Sequence, residues 1–209
     1  MKIRTLGLVA YEPTWRAMQA FNRARDRETP DELWLAEHPP VFTLGLAGRR
    51  EHVLDAGNMP VIATDRGGQV TYHGPGQAIA YLLLDLRRNG LGVKALVGRI
   101  EDAVIDTLAG YGIDGARRQG MPGVYVNEAK IAAIGLRVAR GCCYHGVALN
   151  VDADLAPFAR IDPCGYPGLA STRLADLGVR DSIHAVQQGL AASLSRRLSP
   201  AAAGQPHDD

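Results

Sequence analysis

The sequence contains few cysteines and no long apolar run. Its three cysteines, two of them adjacent at Cys142 and Cys143, are too few for a disulfide framework. The longest apolar run, residues 78–84, is far shorter than the roughly 20 residues that span a bilayer. Residues 1–4 lack the apolar core of a secretion signal. We therefore expect a cytoplasmic protein with reduced thiols that does not enter a membrane.

An excess of charge of either sign is also absent. The 23 basic and 22 acidic residues give a net charge of +1, so nothing global indicates a nucleic-acid partner. Among the basic residues only Lys2, Lys94 and Lys130 are lysines. Arginine cannot lose its proton in a protein, whereas lysine can. Lys130 is therefore a candidate for proton chemistry, although a genomic base-composition bias would explain the arginine excess equally well.

The length and the hydrophobic content of the chain suffice for one domain with a substantial core, because 46% of the 209 residues are hydrophobic. Apolar residues at helical spacing predict helices at 13–27, 93–108 and 182–198. Apolar runs bounded by turn residues predict strands at 33–36, 41–44, 61–64, 78–84, 124–126, 130–138 and 142–151. This order indicates an α/β or α+β domain with a mixed, largely antiparallel sheet and covering helices. We expect residues 1–198 to form it and residues 199–209 to be a flexible tail.

A glycine-rich segment, residues 66–77, separates two predicted buried strands and reads RGGQVTYHGPGQ. Glycine there costs backbone entropy and adds no side chain to the core, so a fold uses it where the main chain turns tightly or approaches a ligand. A structural turn is the alternative, but the arginine, histidine and two glutamines favour a binding loop. The segment has no GxxxxGK pattern and opens no strong helix, which argues against a phosphate cradle.

Cys164 and Lys130 are the residues that could carry covalent chemistry. Cys164 lies in a loop crowded with proline and glycine, where packing explains a cysteine less well than it does in an apolar strand. A thiolate forms at neutral pH only beside a cation or a helix N-terminus. Lys130, at the mouth of an apolar strand, could supply that cation and later act as a base. A solvated hairpin lysine is the structural alternative.

Two histidines could assist this chemistry. His73 and His145 lie in polar, glycine-rich contexts, and either could be a general base for Cys164, although we favour a core role for His145. No metal site is predicted, because Cys142 and Cys143 are neighbours and point to opposite faces of a strand.

Four motifs occurring in this order resemble the lipoyl(octanoyl) transferases: RGGQVTYHGPGQ at 66–77, KIAAIGLR at 130–137, HGVALNV at 145–151 and IDPCG at 161–165. The likeness is close over residues 61–177. It implies the fold of the biotin and lipoate protein ligase catalytic domains, an acyl thioester on Cys164, and Lys130 as the group that lowers the pKa of that cysteine. The implied substrate-binding residues are Arg66, Gly67, Gly68, Gln69, Val70, Thr71, Tyr72, His73, Ala133, Ile134, Gly135, Gly146, Val147 and Ala148.

The resemblance also implies the reaction and its partners. A monomeric enzyme would move an octanoyl or lipoyl group from acyl carrier protein to a lysine of lipoyl domains, those of 2-oxoacid dehydrogenase complexes and the glycine cleavage H protein. A thioester is already activated and an amide is more stable, so neither ATP nor a cofactor is expected. The acceptor amine must lose a proton, at about 4 to 5 kcal/mol near neutral pH. Lys130 is the candidate base and His73 the alternative.

Two further sets of residues follow from this assignment. Small residues would let the main chain approach an acyl chain in a groove, although plain strand packing would need them too: Gly68, Ala133, Gly135, Gly146 and Ala148. Arginines would contact acidic partner domains: Arg49, Arg50, Arg137 and Arg140.

Three other functions stay open. An ATP-dependent lipoate–protein ligase needs no cysteine nucleophile, so Cys164 speaks against it. A thioester hydrolase using Cys164 and His73 needs water at the acyl-enzyme, which a transferase must exclude. A non-catalytic acyl-binding module leaves both Lys130 and Cys164 without a purpose.

Overall fold

The structure, a computed structural model, describes residues 1–162 and 168–199. Within these ranges it contains ten strands and three α-helices. The strands are β1 (Lys2–Leu8), β2 (Glu32–Glu37), β3 (Val41–Leu44), β4 (Val61–Ala63), β5 (Val70–His73), β6 (Gln77–Asp85), β7 (Ala116–Arg118), β8 (Met121–Val126), β9 (Ala129–Ala139) and β10 (Cys142–Asn150). The helices are α1 (Tyr11–Ala24), α2 (Val93–Ala109) and α3 (Ile183–Leu198). Short 3-10 helices occupy Arg50–His52, Ala156–Arg160 and Leu174–Leu177.

The strands form one large and one small sheet. The seven-stranded sheet has the order β1-β2-β6-β10-β9-β8-β7, and only the β1–β2 pair is parallel. The three-stranded sheet has the order β4-β3-β5, with β3 parallel to β4 and antiparallel to β5. The predicted mixed, largely antiparallel sheet is confirmed.

Helices cover both faces of the large sheet. On one face, α2 and α3 bury Leu96 and Leu190 against the sheet, and on the other, Met18 of α1 packs near Trp34. Strand β6 is buried at every position except its last, which explains why it reads as a continuous apolar run. Within residues 1–162 and 168–199, none of the three helices has the length and apolar character of a membrane span.

All three predicted helices are present, but α1 is shifted. It begins at Tyr11 and ends at Ala24, because Arg25 takes an extended conformation and its guanidinium binds the carboxylate of Asp31 at 2.6 Å. Asn127 and Glu128 separate the predicted strands 124–126 and 130–138 and thereby predict a hairpin turn, which the structure confirms, since both residues adopt positive φ, at 46° and 72°.

The interpretation of residues 66–77 as a continuous loop is wrong in its middle. Val70–His73 forms β5, which pairs with β3 through the partners Tyr72 and Phe42. The side chains of Val70 and Tyr72 are buried with Phe42 in the core of the small sheet. Two edge strands, β1 and β7, were not predicted, because most of their residues are exposed and show no apolar alternation.

Replacing Gly146 by alanine is expected to destabilise the fold by roughly 3 kcal/mol, a large overpacking effect. A Cβ at this position of β10 would lie 1.9 Å from the carbonyl oxygen of Ala80 on β6, a main-chain atom that cannot move aside alone. Gly189→Ala is the matched control, because nothing lies within 4 Å of its Cβ in the interior of α3. It should stabilise the protein by about 0.5 to 1 kcal/mol. Urea unfolding measures both, and equal stabilities would contradict this packing.

Candidate active site

A cavity of about 290 Å³ lies between the large sheet and the glycine-rich segment. Its floor is formed by neighbouring strands of the sheet. Ala148 of β10 pairs there with Ala133 of β9 on one side and with Ile79 of β6 on the other. Side chains of α1, the start of α2 and the segment after residue 168 complete the walls. Besides the predicted substrate-binding residues, the cavity is lined by the predicted catalytic residue Lys130 and by others that include Tyr11, Gln77, Tyr81, Val93, Val97, Pro122, His145, Asn150, Phe158, Leu169 and Ser171.

Arg66 crosses the cavity wall directly over Gly135. A Cβ at Gly135 would lie 3.1 Å from Cδ of Arg66 and 3.2 Å from the carbonyl oxygen of Gly67, so a side chain there would have to push this segment away by a few tenths of an ångström. The buried Arg66 guanidinium donates to the carbonyl oxygen of Thr43 at 2.7 Å, and the Gly67 amide donates to that of Leu136 at 2.8 Å. The predicted binding segment is thereby fastened to the edge of β9.

Lys130 is not a solvated hairpin lysine. Its side chain is only 7% exposed and lines the cavity, with Nζ donating to the carbonyl oxygen of Pro122 at 3.2 Å and lying 5.3 Å from the centre of the Tyr125 ring. Its main chain pairs with a later segment, because the Lys130 amide donates to Ala170 at 2.8 Å and the Thr172 amide donates back at 3.0 Å. The structure therefore places this ammonium at the cavity.

The predicted nucleophile, Cys164, lies outside the described residues, which omit 163–167. Before that stretch, the Asp162 amide donates to the carbonyl oxygen of His52 at 2.9 Å. After it, Leu169 and Ser171 line the cavity, and Ser171 forms a parallel bridge with Lys130.

Buried amides fix the ring of His73. The Gln77 side chain donates through Nε2 to the carbonyl oxygen of Tyr72 and to Oδ1 of Asn150, at 3.3 and 2.9 Å. Since a carbonyl can only accept, Oε1 of Gln77 is the atom that faces Nδ1 of His73 at 3.2 Å, and Nδ1 carries the proton. Gln77 belongs to the predicted binding segment, but its contact with His73 was not predicted, and Asn150 was not predicted at all, because a polar residue within an apolar strand was its only signal.

The buried histidines are neutral near pH 7. Burial lowers the pKa of His73 well below 6.5, assisted by nearby His38 and Arg66, and burial lowers the pKa of His38 to about 4. His38 is held between the carbonyl oxygen of Val9 and the hydroxyl of Tyr81, both at 2.6 Å. His73 is therefore a weak base, which makes it a poor acceptor for the proton of an amine.

Lowering the pH from 6.5 to 4 is expected to destabilise the protein, because the buried histidines stay neutral in the folded state over this range. An unfolded histidine titrates near 6.5 and His38 near 4, so the unfolded state takes up the proton first as the pH falls. Stability is complete above pH 6.5 and declines between pH 6.5 and 4, with His38 accounting for up to about 3 kcal/mol. Urea unfolding across this range measures the loss.

The matched variants are His38→Gln and His184→Gln. Glutamine at 38 cannot take up the proton, so the slope of stability against pH should flatten, whereas His184 is exposed on α3 and its replacement should leave the slope unchanged. An unaltered slope in His38→Gln would show that the acid sensitivity has another source.

Asp65 accepts hydrogen bonds from side chains of α1 and β10, behind the cavity. Its Oδ1 accepts from Nε1 of Trp15 at 2.7 Å and from Nε2 of His145 at 2.9 Å, and its Oδ2 accepts from Nε2 of Gln19 at 2.9 Å and from the Tyr144 hydroxyl. Burial alone would raise the pKa of Asp65, but these bonds, led by those from His145 and Tyr144, hold it far below its ordinary value. His145 is buried and hydrogen-bonded, as expected, and also lines the cavity. Asp65 was not predicted.

Thirteen of the fourteen predicted substrate-binding residues line the cavity, and Tyr72 does not. Its ring packs against Phe42 and Phe158, with centroids 5.8 and 5.5 Å away. Gly146 lines the cavity, but the neighbouring strand, not a ligand, requires glycine there. Within the described ranges, no group of three or more His, Cys, Asp or Glu side chains could hold a metal ion.

The two cysteines of β10, Cys142 and Cys143, are free and buried. Burial raises the pKa of Cys142, and it raises the pKa of Cys143 to about 12. Of the arginines predicted as docking contacts, Arg49, Arg50 and Arg140 are exposed and Arg137 is half-buried; Arg49 pairs with Glu51, and Arg140 donates to the carbonyl oxygen of Asn22 at 2.7 Å. Contacts of these four arginines with a partner protein stay predictions.

The chain is similar to proteins of known activity. Residues 10–195 match the family described as the lipoyl protein ligase A/B catalytic domain. The octanoyltransferase of Thiobacillus denitrificans is 60% identical over 196 residues, covering 94% of this chain and 90% of that protein. That of Aromatoleum aromaticum is 58% identical, covering 98% and 89%.

Solved structures show the same fold at low sequence identity. A lipoate-protein ligase A bound with ATP superposes with a TM-score of 0.76 at 18% identity, covering 95% of this chain and 86% of that one. The biotin protein ligase from Aquifex aeolicus in complex with biotin and ATP gives a TM-score of 0.59 at 14% identity, covering 94% and 70%.

Proposed function

Because the chain belongs to the lipoyl protein ligase A/B catalytic-domain family and is an octanoyltransferase, we propose that it works through an acyl-cysteine thioester. In this proposal Cys164 takes the octanoyl group from acyl carrier protein and passes it to a lysine amine of a lipoyl domain, in the cytoplasm and as a monomer. Lys130 is the cation that keeps the Cys164 sulfur ionised and the base that later accepts a proton. The thirteen predicted residues that line the cavity hold the acyl chain.

The position of Lys130 is the observation that carries this proposal. Its buried ammonium lines an apolar cavity, and its main chain is paired with Ser171, seven residues after Cys164. Asp162, the last described residue before this stretch, precedes Cys164 by two positions in the chain. Phe158, four residues before Asp162, lines the same cavity. Both chain connections to Cys164 therefore start near the site.

The two transfers balance without a cofactor. In the first, the Cys164 thiolate attacks the donor carbonyl carbon, a new C–S bond forms, and the carrier thiol leaves with the proton of Lys130. In the second, the acceptor amine attacks, a C–N bond forms, and the bond to Cys164 breaks. Lys130, now neutral, receives the proton that the amine loses. The ammonium and the thiolate are both restored.

The environment of His73 favours Lys130 as the base. Burial holds the pKa of His73 well below its ordinary value. A base that weak takes a proton from an amine far less readily than a neutral lysine does.

An assay without ATP tests the proposal. The protein is mixed with octanoyl-loaded acyl carrier protein, and a lipoyl domain is added afterwards. Intact-protein mass spectrometry should show an octanoyl adduct on Cys164 that moves to the acceptor lysine. A parallel mixture with free octanoate and ATP is the control. Product only in that mixture would indicate a ligase, free octanoate a hydrolase, and an unchanged carrier a binding protein.

A further inference from the structure

Asp65 ties helix α1 to strand β10 behind one end of the cavity. We propose that Asp65 is a positioning residue that sets the maximal length of the acyl chain, by holding Arg66 and His145 at the end of the cavity opposite Lys130. The proposal rests on the function proposed above. It concerns a residue that neither touches the acyl carbonyl nor takes part in proton transfer.

The reactive end of the cavity is fixed by the Lys130 ammonium. Nζ donates to the carbonyl oxygen of Pro122 at 3.2 Å and would lie 3.4 Å from a Cβ on Gly123. Gly123 is paired with Ala133 across β8 and β9. The ammonium therefore lies at the level of Ala133, and the acyl carbonyl is placed beside it.

The opposite end lies about three residues further along β9. The side chain of Arg66 crosses at Gly135, and His145 is paired with Leu136. At about 3.3 Å per residue, the distance from Ala133 to Leu136 is about 10 Å. An extended eight-carbon chain is about 9 Å long, given C–C bonds of about 1.5 Å. A chain with its carbonyl at the ammonium therefore ends at Arg66 and His145.

His145 is held there in a backbone conformation that side chains disfavour. Its φ is +64° in the middle of a strand, a position where only a surrounding structure can keep a residue other than glycine. The Asp65 carboxylate can only accept, so Nε2 of His145 carries the shared proton, and the ring orientation is fixed. The neighbouring Tyr144 hydroxyl binds the same carboxylate.

The same carboxylate fastens the start of the segment that contains Arg66. Asp65 precedes Arg66 in the chain, and its hydrogen bonds from Trp15 and Gln19 anchor that point to α1. On the other side the segment is anchored to β9 by the Gly67 amide. Removing the carboxylate releases the attachment to α1, while the segment stays tied to β9 through the Gly67 amide and to β3 through the Arg66 guanidinium.

The decisive measurement is the preference for acyl length. Asp65→Asn, Tyr144→Phe and wild type are compared with carriers loaded with six-, eight-, ten- and twelve-carbon groups, and kcat/KM is determined for each. Asp31→Asn is the matched control. Asp31 also accepts four hydrogen bonds, from Arg25, Arg88, Asn89 and the Asp85 amide, and it does not line the cavity.

In Asp65→Asn, the ratio of kcat/KM for ten carbons to that for eight should rise about tenfold, the lower range of discrimination by apolar pockets. Tyr144→Phe should shift the ratio in the same direction by a smaller factor. If Asp65→Asn does not fold, the ratio measured for Tyr144→Phe tests the proposal in its place. Asp31→Asn should leave the ratio unchanged.

A loss in Asp65→Asn by one common factor for all chain lengths would overturn the proposal, as would an unchanged ratio. An equal shift in Asp31→Asn would assign the effect to general loosening of the fold. Failure of the proposed function is recognised separately, because wild type would then form no octanoyl-cysteine with any carrier.

Discussion

Replacing Lys130 by arginine is expected to block transfer to the acceptor while the octanoyl-cysteine still forms. In the proposed mechanism, arginine keeps the positive charge that stabilises the Cys164 thiolate, and the carrier thiolate can leave without a proton. However, arginine never becomes neutral, so it cannot receive the proton of the attacking amine. Loss of a general base slows such a step by about 10² to 10⁴-fold. Rapid-quench single turnovers analysed by mass spectrometry measure each half-reaction separately.

Two variants make this result interpretable. Lys130→Met removes the charge as well and should slow both half-reactions, whereas Lys2→Arg, on the edge strand β1, should slow neither. Wild-type transfer in Lys130→Arg would remove the role of base from Lys130. Equal loss of both steps in Lys130→Arg and Lys130→Met would indicate that the larger guanidinium does not fit the buried position.

Replacing Cys164 by alanine should lower octanoyl transfer by at least about 10³-fold, since no other side chain can take its place as the covalent carrier. The intact mass of the protein after incubation with octanoyl carrier should remain that of the unmodified chain. Carrier deacylation, followed in the same samples, should fall to the rate without enzyme.

The other cysteines provide the control. Burial raises the pKa of both Cys142 and Cys143, so neither forms a thiolate near neutral pH. Cys142→Ala should therefore retain the octanoyl adduct and the wild-type rate. An adduct on the Cys164→Ala protein would mean that the acyl group is carried elsewhere.

The parts of the fold that the sequence predicts are those with strong local signals. Helices α2 and α3 have apolar residues at helical spacing, and the turn at Asn127 and Glu128 has a hairpin signature, so their places could be predicted. Strand β1 could not, because an edge strand exposed on both faces has no burial pattern. Strand β5 could not either, since the glycines around it mask a short pairing with β3 that is set by tertiary contacts.

The residues of the site also differ in whether the sequence predicts them. Lys130 and the segment from Arg66 stood out by residue type and setting, and the structure brings both to one cavity. Asp65 and Asn150 did not stand out, because their roles depend on distant partners. Asp65 binds Trp15, 50 residues earlier, and Tyr144, 79 residues later. A single sequence carries no trace of which polar residues will meet across such separations.

The bridge between Lys130 and Ser171 has a consequence for laboratory evolution of the enzyme. It is made by amide and carbonyl groups that every residue except proline supplies in full, so its strength does not depend on which side chains occupy positions 170–172. Libraries that diversify these three positions can therefore explore new acyl donors while the lysine keeps its place. Proline at 172 is the substitution to leave out of such a library.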